Sequence, residues 1–457
     1  MGTLYDGGSA RLAAVLARLE VLIDWERRDR SALALQSMRV DTGPARALCA
    51  LVRAWPLDAS AQRPVVVHVA GSKGKGSVAA LVDAALASAG WRVGRYGSPH
   101  VERLTERFVI EGHEVGDGDL AQVLEEVMDA RDGALGPASE VAASTWFDVL
   151  TAAAFLLFAR ARLDAWVVEC GLGGRLDSTN VLDGDVAVVT GIELEHTAIL
   201  GSTRAEIAGE KAGILKRGAR AVVGLVSPDR AGARPEVGPG EPDPASQVIA
   251  RVASALGVPI EWRPRGQTHD FEAHNRAIAG AVLDALGAGG HRSRSGAPLG
   301  AHLVHGLPPG AARLPGRWER LDVGGVPLVL DGAHVATSLG ALLDQLERDP
   351  TLPGLPVVVL GMGKDKDAEA LLKCLVGRVD SVLCSSAGVG PYLAPEVLAT
   401  KAQALGLRTQ TVPDPRRAVQ MALGAASGRW VLVTGSLHLV GAVRPMLFQA
   451  AHPGSPC

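Results

Sequence analysis

The sequence predicts an α/β protein: a P-loop-type, mostly parallel sheet flanked by helices, followed by a smaller, Rossmann-like α/β domain. Three observations carry this. Apolar runs of strand length alternate with helical stretches almost throughout the chain. Most of these runs are continuous and rich in Val and Ala rather than alternating, as expected of strands covered on both faces. Residues 65–69 (VVVHV) lead directly into GSKGKGS at 71–77, and a helical pattern follows over 78–89. Strand, glycine loop and helix make the geometry that holds a nucleotide phosphate.

Taken in order, the chain opens with a short amphipathic helix preceded by Asp6. The glycine loop follows, then expected strands at 165–169, 186–190 and 221–225, with helices at 145–160 and 203–215 between them. Residues 228–246 are rich in Pro, Gly and charge and read as a surface loop, and 287–298 as a second one. The pattern then restarts, with strands expected at 326–330, 356–360, 381–385 and 430–433. The Pro/Gly-rich stretch at 307–313 is the expected linker, dividing a first domain over 1–308 from a second over 309–457.

Bulk composition narrows the function classes. A chain of 457 residues is long enough for two or three domains. Its 46 basic and 49 acidic residues leave a net charge of −3, which is no footprint for nucleic acid. Apolar residues make up 47%, yet no apolar run approaches the roughly 20 residues of a membrane span. The N-terminus lacks the basic and apolar regions of a signal peptide. The five cysteines, Cys49, Cys170, Cys374, Cys384 and Cys457, form no C-x-x-C pair, so a reduced cytoplasmic protein is expected. Without a heptad pattern, a monomer is expected.

The loop supplies the first chemistry. Backbone N–H groups of Gly71, Ser72, Gly74 and Gly76 and the helix N-terminus offer positive potential, Lys75 adds a charge, and the Ser77 hydroxyl suits Mg²⁺. Lys73 has no evident role. Glu169 ends a buried strand, where an acidic residue can bind a metal directly or through water, and the turn GLGGRLD follows it, with Arg175 and Asp177 placed to organise that turn. The spacing G-x-x-G-K-G-S resembles the ATP loop of the Mur ligase superfamily. With the preceding His-Val-Ala it resembles that of the folylpolyglutamate synthase/dihydrofolate synthase family.

Further motifs extend the resemblance in order, from about residue 33 to 443. ECGLGGRLDSTN at 169–180 resembles the family's E-x-G-L-G-G-R-x-D-x-T-N, and implies Glu169 as a ligand of a second metal. EHTAILG at 195–201 resembles D-H-x-x-x-L-G, with Glu195 in place of Asp and His196 as the implied nitrogen ligand. IAGEKAGI at 207–214 resembles I-A-x-E-K-A-G-I; its lysine is carbamylated in many Mur-type ligases, and Lys211 holds that position.

YGSPH at 96–100 with Glu106 and Arg107, and STWFD at 144–148, resemble the acid-substrate segments. They imply Ser98, Pro99, His100, Arg107, Thr145 and Phe147 as substrate residues, with Asp148 replacing a Glu. Aromatic rings beside polar groups suit a flat pteridine, although Trp146 and Phe147 also read as the core of a helix start. Asn275 resembles the adenine-side Asn, although Glu272 stands where Gln is usual. PGRWE at 315–319 and LDGAH at 330–334 imply Arg317, Asp331 and His334 on the ATP side, with Val335 in place of the usual Asn. The loop at 361–367 and GSLHLVG at 435–441 also match, and read equally well as structural turns.

The resemblance implies an ATP-dependent ligase with two Mg²⁺ sites and with Lys75, Glu169, His196 and Lys211 at its centre. Its substrates would be a folate or pterin acid and L-glutamate, joined through an acyl phosphate. A ligase for another acyl acceptor and a nucleotide-binding protein without turnover are the two alternatives.

Overall fold

The computed structural model describes residues 9–24, 41–55, 63–136, 139–229, 243–265, 270–308, 310–388 and 390–452. The described residues form two compact units that divide between Ala312 and Arg313.

The first unit is built on an eight-stranded sheet in the order β4-β3-β2-β5-β1-β6-β7-β8. Its strands are β1 (Val65–Ala70), β2 (Val93–Tyr96), β3 (Phe108–Ile110), β4 (His113–Glu114), β5 (Ala165–Glu169), β6 (Val186–Val189), β7 (Arg220–Val223) and β8 (Ile260–Trp262). All pairings are parallel except those of the β2-β3-β4 edge. The central strand β1 lies between β5 and β6, which places Val69 beside Glu169 and Ala70 beside Val189. The carboxyl ends of the three central strands are therefore neighbours, where an open parallel sheet forms its binding crevice.

Both faces of this sheet are covered, as the continuous apolar runs predict. Val67 and Val69 pack with Val78, Val82, Ile278 and Val282 of the helices Lys75–Ser88 and Phe271–Ala288. Val66 and Val168 face Phe155 and Trp166, whose rings stack at 5.6 Å. Each such buried side chain contributes on the order of 1.5–3 kcal/mol.

The second unit is a six-stranded sheet, β13-β12-β11-β14-β10-β9. It comprises β9 (Glu319–Val323), β10 (Val326–Leu330), β11 (Val357–Leu360), β12 (Ser381–Cys384), β13 (Thr409–Thr411) and β14 (Val431–Thr434). Only β9 runs antiparallel, paired with β10. Helices Ala336–Leu346 and Pro395–Ala404 bury Leu339, Leu343 and Leu398 against Val358 and Val382 in a core of its own.

Several boundaries differ from the sequence expectation. The helix after the glycine loop starts at Lys75, three residues early, because Gly74 takes a left-handed conformation (φ 81°) that closes the loop before Lys75. The helix expected over 203–215 spans Arg204–Ala212, with Thr203 as its N-cap. The loop expected over 228–246 lies in part outside the described residues, but its last three residues are helical. Asp243 accepts the Ala245 N–H, and Pro244 opens the helix Pro244–Leu256. The second expected loop, 287–298, begins inside the helix Phe271–Ala288, and Arg292 bridges Pro298. Cys49, Cys170, Cys374 and Cys384 are free thiols; Cys457 lies outside the described residues. Among the described residues no helix is long and apolar enough to cross a membrane.

Candidate functional site

The glycine loop leaves β1 at Gly71, whose φ of 141° brings it against Thr190. A Cβ on Gly71 would lie 2.0 Å from Thr190 Oγ1. Thr190, at the end of β6, braces the loop twice: its N–H donates to the Ala70 carbonyl at 3.0 Å and its hydroxyl to the Lys73 carbonyl at 2.5 Å. The Ser72 N–H donates to the Gly191 carbonyl at 2.9 Å and its hydroxyl accepts the Glu193 N–H at 3.0 Å. The amide and side chain of Ser72, expected to face nucleotide, thus tie the loop to the 191–193 segment. Lys75, Gly76 and Ser77 make the first helical turn, half-buried, where amides lack helical acceptors and attract anions. Asn275 sits over the loop, its Oδ1 2.5 Å from where a Gly74 Cβ would be.

Glu169 joins two of the first unit's motifs, the glycine loop and the 96–100 segment. It is 5% exposed. Its Oε1 lies 3.9 Å from Lys75 Nζ, and its Oε2 accepts the Ser98 N–H at 3.3 Å. A side chain at Gly97 would crowd that carboxylate, with Cβ 3.2 Å from Oε2.

Around this turn the expected acid-substrate residues assemble. Arg107 Nε donates to His100 Nδ1 at 2.9 Å, and its guanidinium lies 4.9 Å from the Trp146 ring. Arg107 and Trp146 are both buried, Trp146 within the hydrophobic core. Phe147 is half-buried, its ring against Gly171 and 6.0 Å from the Tyr96 ring. Thr145 is a helix N-cap in a reciprocal box with Asp148, and Asp148 also accepts the Ser178 hydroxyl at 2.6 Å. The Glu-to-Asp departure at 148 is thus taken up in capping and loop bracing.

The turn after Glu169 is held by Asp177, which accepts the Leu172 N–H at 2.8 Å and the Thr179 N–H at 3.0 Å. Arg175 pairs with Glu210 at 2.7 Å. Beneath this turn His68 is fully buried, its Nε2 2.8 Å from Thr179 Oγ1 and 3.1 Å from Cys170 Sγ. Burial, with the Lys216 charge, pushes its pKa down to about 3.

Past the end of β6, His196 adopts a left-handed conformation (φ 46°) and caps the short helix Thr197–Leu200. The preceding Glu195 accepts from Lys211 Nζ at 3.0 Å. Lys211 is 2% exposed. Burial alone would raise the Glu195 pKa, but the charges of Lys211, Lys75 and His196 bring it down to about 2. Burial and the like charge of Lys75 lower the Lys211 pKa against the pull of Glu195.

Sequence reasoning singled out neither Thr190 nor Glu195 as site residues. Thr190 follows a Val run with no motif of its own. Glu195 had a signal in its place beside His196, and geometry adds its reach to Lys211.

No cluster of three or more His, Cys, Asp or Glu is arranged to hold a metal among the described residues. The donors available are the Ser77 hydroxyl, the Glu169 carboxylate and the His196 imidazole. That set suits Mg²⁺ arriving with a nucleotide, which keeps phosphate and water ligands and takes few from protein. A buried carboxylate beside a helix N-terminus fits such an ion.

In the second unit, Asp331 ends up bracing its loop. Oδ2 accepts the Trp318 N–H and Oδ1 the Ala333 N–H, both at 2.9 Å. His334 Nδ1 donates to the Gly332 carbonyl at 2.9 Å. Arg317 is exposed between Gly316 (φ 62°) and Trp318 (φ 51°).

The Mur ligase, glutamate ligase domain matches residues 316–437. Dihydrofolate synthase/folylpolyglutamate synthase of Mycobacterium tuberculosis is 31% identical over 429 residues, 83% of this chain and 85% of that one. This chain belongs to the dihydrofolate synthase/folylpolyglutamate synthase family. Solved family members superpose over nearly its whole length. An Escherichia coli FolC in complex with DHPP and ADP has a TM-score of 0.75 at 28% identity, covering 97% of this chain and 99% of that one. A bifunctional folylpolyglutamate synthase/dihydrofolate synthase with Mn, AMPPNP and L-glutamate bound has a TM-score of 0.74 at 30% identity, covering 96% and 98%. The two-domain Mur-ligase fold of the family is therefore the fold of this chain.

Proposed function

We propose that the chain is an ATP-dependent amide ligase that adds L-glutamate to the carboxyl group of a folate or dihydropteroate, releasing ADP and phosphate. The observation that carries the reading is the buried Glu169 carboxylate. Lys75 of the nucleotide loop approaches one oxygen, and the Ser98 amide of the acid-side turn binds the other. Acyl activation needs ATP and an acid side by side, and here their two segments meet.

In this reading Lys75 and the amides of the Lys75–Ser88 helix N-terminus hold phosphate oxygens of ATP. The acid lies along Ser98, Pro99 and His100 against Phe147. Its carboxylate oxygen attacks the γ-phosphorus, the bond to the bridging oxygen breaks, and ADP leaves with that electron pair. The neutral amine of glutamate then attacks the acyl carbon. Phosphate departs with the C–O electrons, the nitrogen loses a proton and the amide is formed. Positioning and charge neutralisation do most of this. Divalent cations bound with the nucleotide would neutralise phosphate charge, and Ser77, Glu169 and His196 are the residues that would hold them. Asn275 would border the adenine from above the loop, and the exposed Arg317 is the second unit's candidate for binding phosphate.

Lys211 is the residue for carbamylation in the same reading. Burial lowers the pKa of its amine, which increases the share of the neutral form that reacts with CO₂. The carbamate would turn the pair with Glu195 from attraction to repulsion, so modification would require Glu195 to turn away. ¹³C NMR with labelled bicarbonate should show a carbamate signal that Lys211→Ala lacks. Turnover lost in that variant should return in part with short carboxylic acids.

Phosphate release measured with dihydropteroate and with tetrahydrofolate, each with and without glutamate, tests the reaction. Release that needs both acid and glutamate is expected. No release with either folate, but release with another acid, would make the chain a ligase for a different acceptor. Nucleotide binding without release across a wide panel would remove ligase activity altogether.

A further inference from the structure

The residues on either side of Arg317 are both tied down. Trp318 packs against the second unit's core, and its N–H is taken by Asp331. The Gly316 carbonyl accepts the Gly332 N–H at 3.0 Å. The Gly316 N–H donates to Glu319 Oε2 at 2.9 Å. Glu319 is in turn gripped by Arg444 of the C-terminal helix Leu437–Ala451, a residue outside every motif considered above. Arg444 Nε lies 3.0 and 2.8 Å from the two Glu319 oxygens, and its Nη2 2.7 Å from Oε1. Both side chains are mostly buried, at 18% and 16% exposure, which makes this forked pair unlike the solvated pairs on the surface. The Phe448 ring, 5.2 Å away, flanks the guanidinium.

The geometry points to Arg444 as a positioning residue for Arg317. The chain of contacts runs from the Arg444 fork to the Glu319 carboxylate, to the Gly316 amide, and so to the backbone that sets where the next side chain points. Gly316 and Trp318, the residues on either side of Arg317, both have positive φ, so this backbone needs outside support to hold its shape. A planar fork fixes the Glu319 carboxylate in orientation as well as position, which a lysine ammonium cannot do. The inference rests on the proposed role of Arg317 at the phosphates of ATP.

A double-mutant cycle tests it. Arg444→Leu should lower kcat about tenfold while the KM for the acid substrate stays near wild type, and Arg444→Lys should recover part of that loss. In an Arg317→Ala background, Arg444→Leu should cost nothing further, because residues that act through one another are not additive. Wild-type kcat in Arg444→Leu, or the same tenfold loss with and without Arg317, would overturn the assignment. Full activity of Arg317→Ala alone would instead overturn the role of Arg317, and the inference with it. Should Arg444→Leu fail to fold, Glu319→Gln and Arg444→Lys probe the same link with the side-chain volume kept.

Discussion

Lys75 belongs to the phosphate loop and places its Nζ 3.9 Å from the buried Glu169 carboxylate. Replacing it with Ala should lower kcat by at least about 100-fold, the usual cost of losing a preorganised charge-stabilising group. Circular dichroism should be unchanged. Thr190 makes a finer test, because its hydroxyl touches only the loop backbone. Thr190→Val keeps the shape but removes the bond to the Lys73 carbonyl, and should cost about 1 kcal/mol of stability in urea titrations. The KM for ATP should rise several-fold with little change in the KM for glutamate. Gly97→Ala should do the opposite, impairing the acid substrate while nucleotide binding is kept, because the new methyl presses on Glu169 Oε2. Lys73, without an evident role in the sequence, offers its carbonyl to the Thr190 hydroxyl.

Among the elements, the connection from the helix Ala336–Leu346 to β11 shows how a turn can tune stability with pH. The Asp349 carboxylate takes the Thr351 hydroxyl at 2.6 Å and its N–H at 2.9 Å, and pairs with Arg320 of β9. The Thr351 hydroxyl first, then its backbone amide and Arg320, hold its pKa at about 2, below the ordinary 3.8. A carboxyl lowered on folding stabilises the native state fully above pH 3.8, and that contribution fades as pH falls towards about 2. Asp349→Asn should therefore be less stable than wild type at neutral pH and close the gap as the pH drops through that window. Denaturant melts at a series of pH values read this directly; a constant gap would contradict it.

The strongly apolar strands were legible within two residues, because continuous Val and Ala runs have one use in a sheet covered on both faces. The strands that escaped notice are short or mixed. β2 reads Val-Gly-Arg-Tyr, with Arg95 paired at 3.1 Å to Asp83 of the helix Lys75–Ser88, a partner that the local strand pattern does not show. β4 and β13 are edge strands of polar residues. The Asp243-Pro244 helix start was written in the sequence but masked by the surrounding Pro, Gly and charge.

At the scale of the molecule, the crevice at the ends of β5, β1 and β6 belongs to a sheet covered on both faces. Any ligand that binds there stabilises that unit by mass action. A non-hydrolysable ATP analogue with Mg²⁺ at 100 times its Kd should add about 2.7 kcal/mol, on the order of 5 °C in Tm. EDTA should remove most of that shift while leaving the ligand-free Tm unchanged. A shift of equal size without divalent cation would argue that Ser77, Glu169 and His196 hold no ion. The motifs identified these residues one by one. They also placed Asp177 at its turn; what they did not show was the bracing by Thr190, Asp148 and Glu319, whose partners Lys73, Ser178 and Arg444 lie 117, 30 and 125 residues away.

The burial of His68 has a use outside chemistry. A ring with a pKa of about 3 keeps its charge state across the range of about pH 5 to 8 in which exposed histidines titrate. In an isotope-labelled imidazole spectrum its resonances should form a fixed line among moving ones. Because the ring touches Cys170 and Thr179 on either side of the turn after Glu169, any displacement of that line on adding nucleotide or acid would report movement of the turn itself. The protein thus carries its own spectroscopic gauge, set one layer beneath the site it reads.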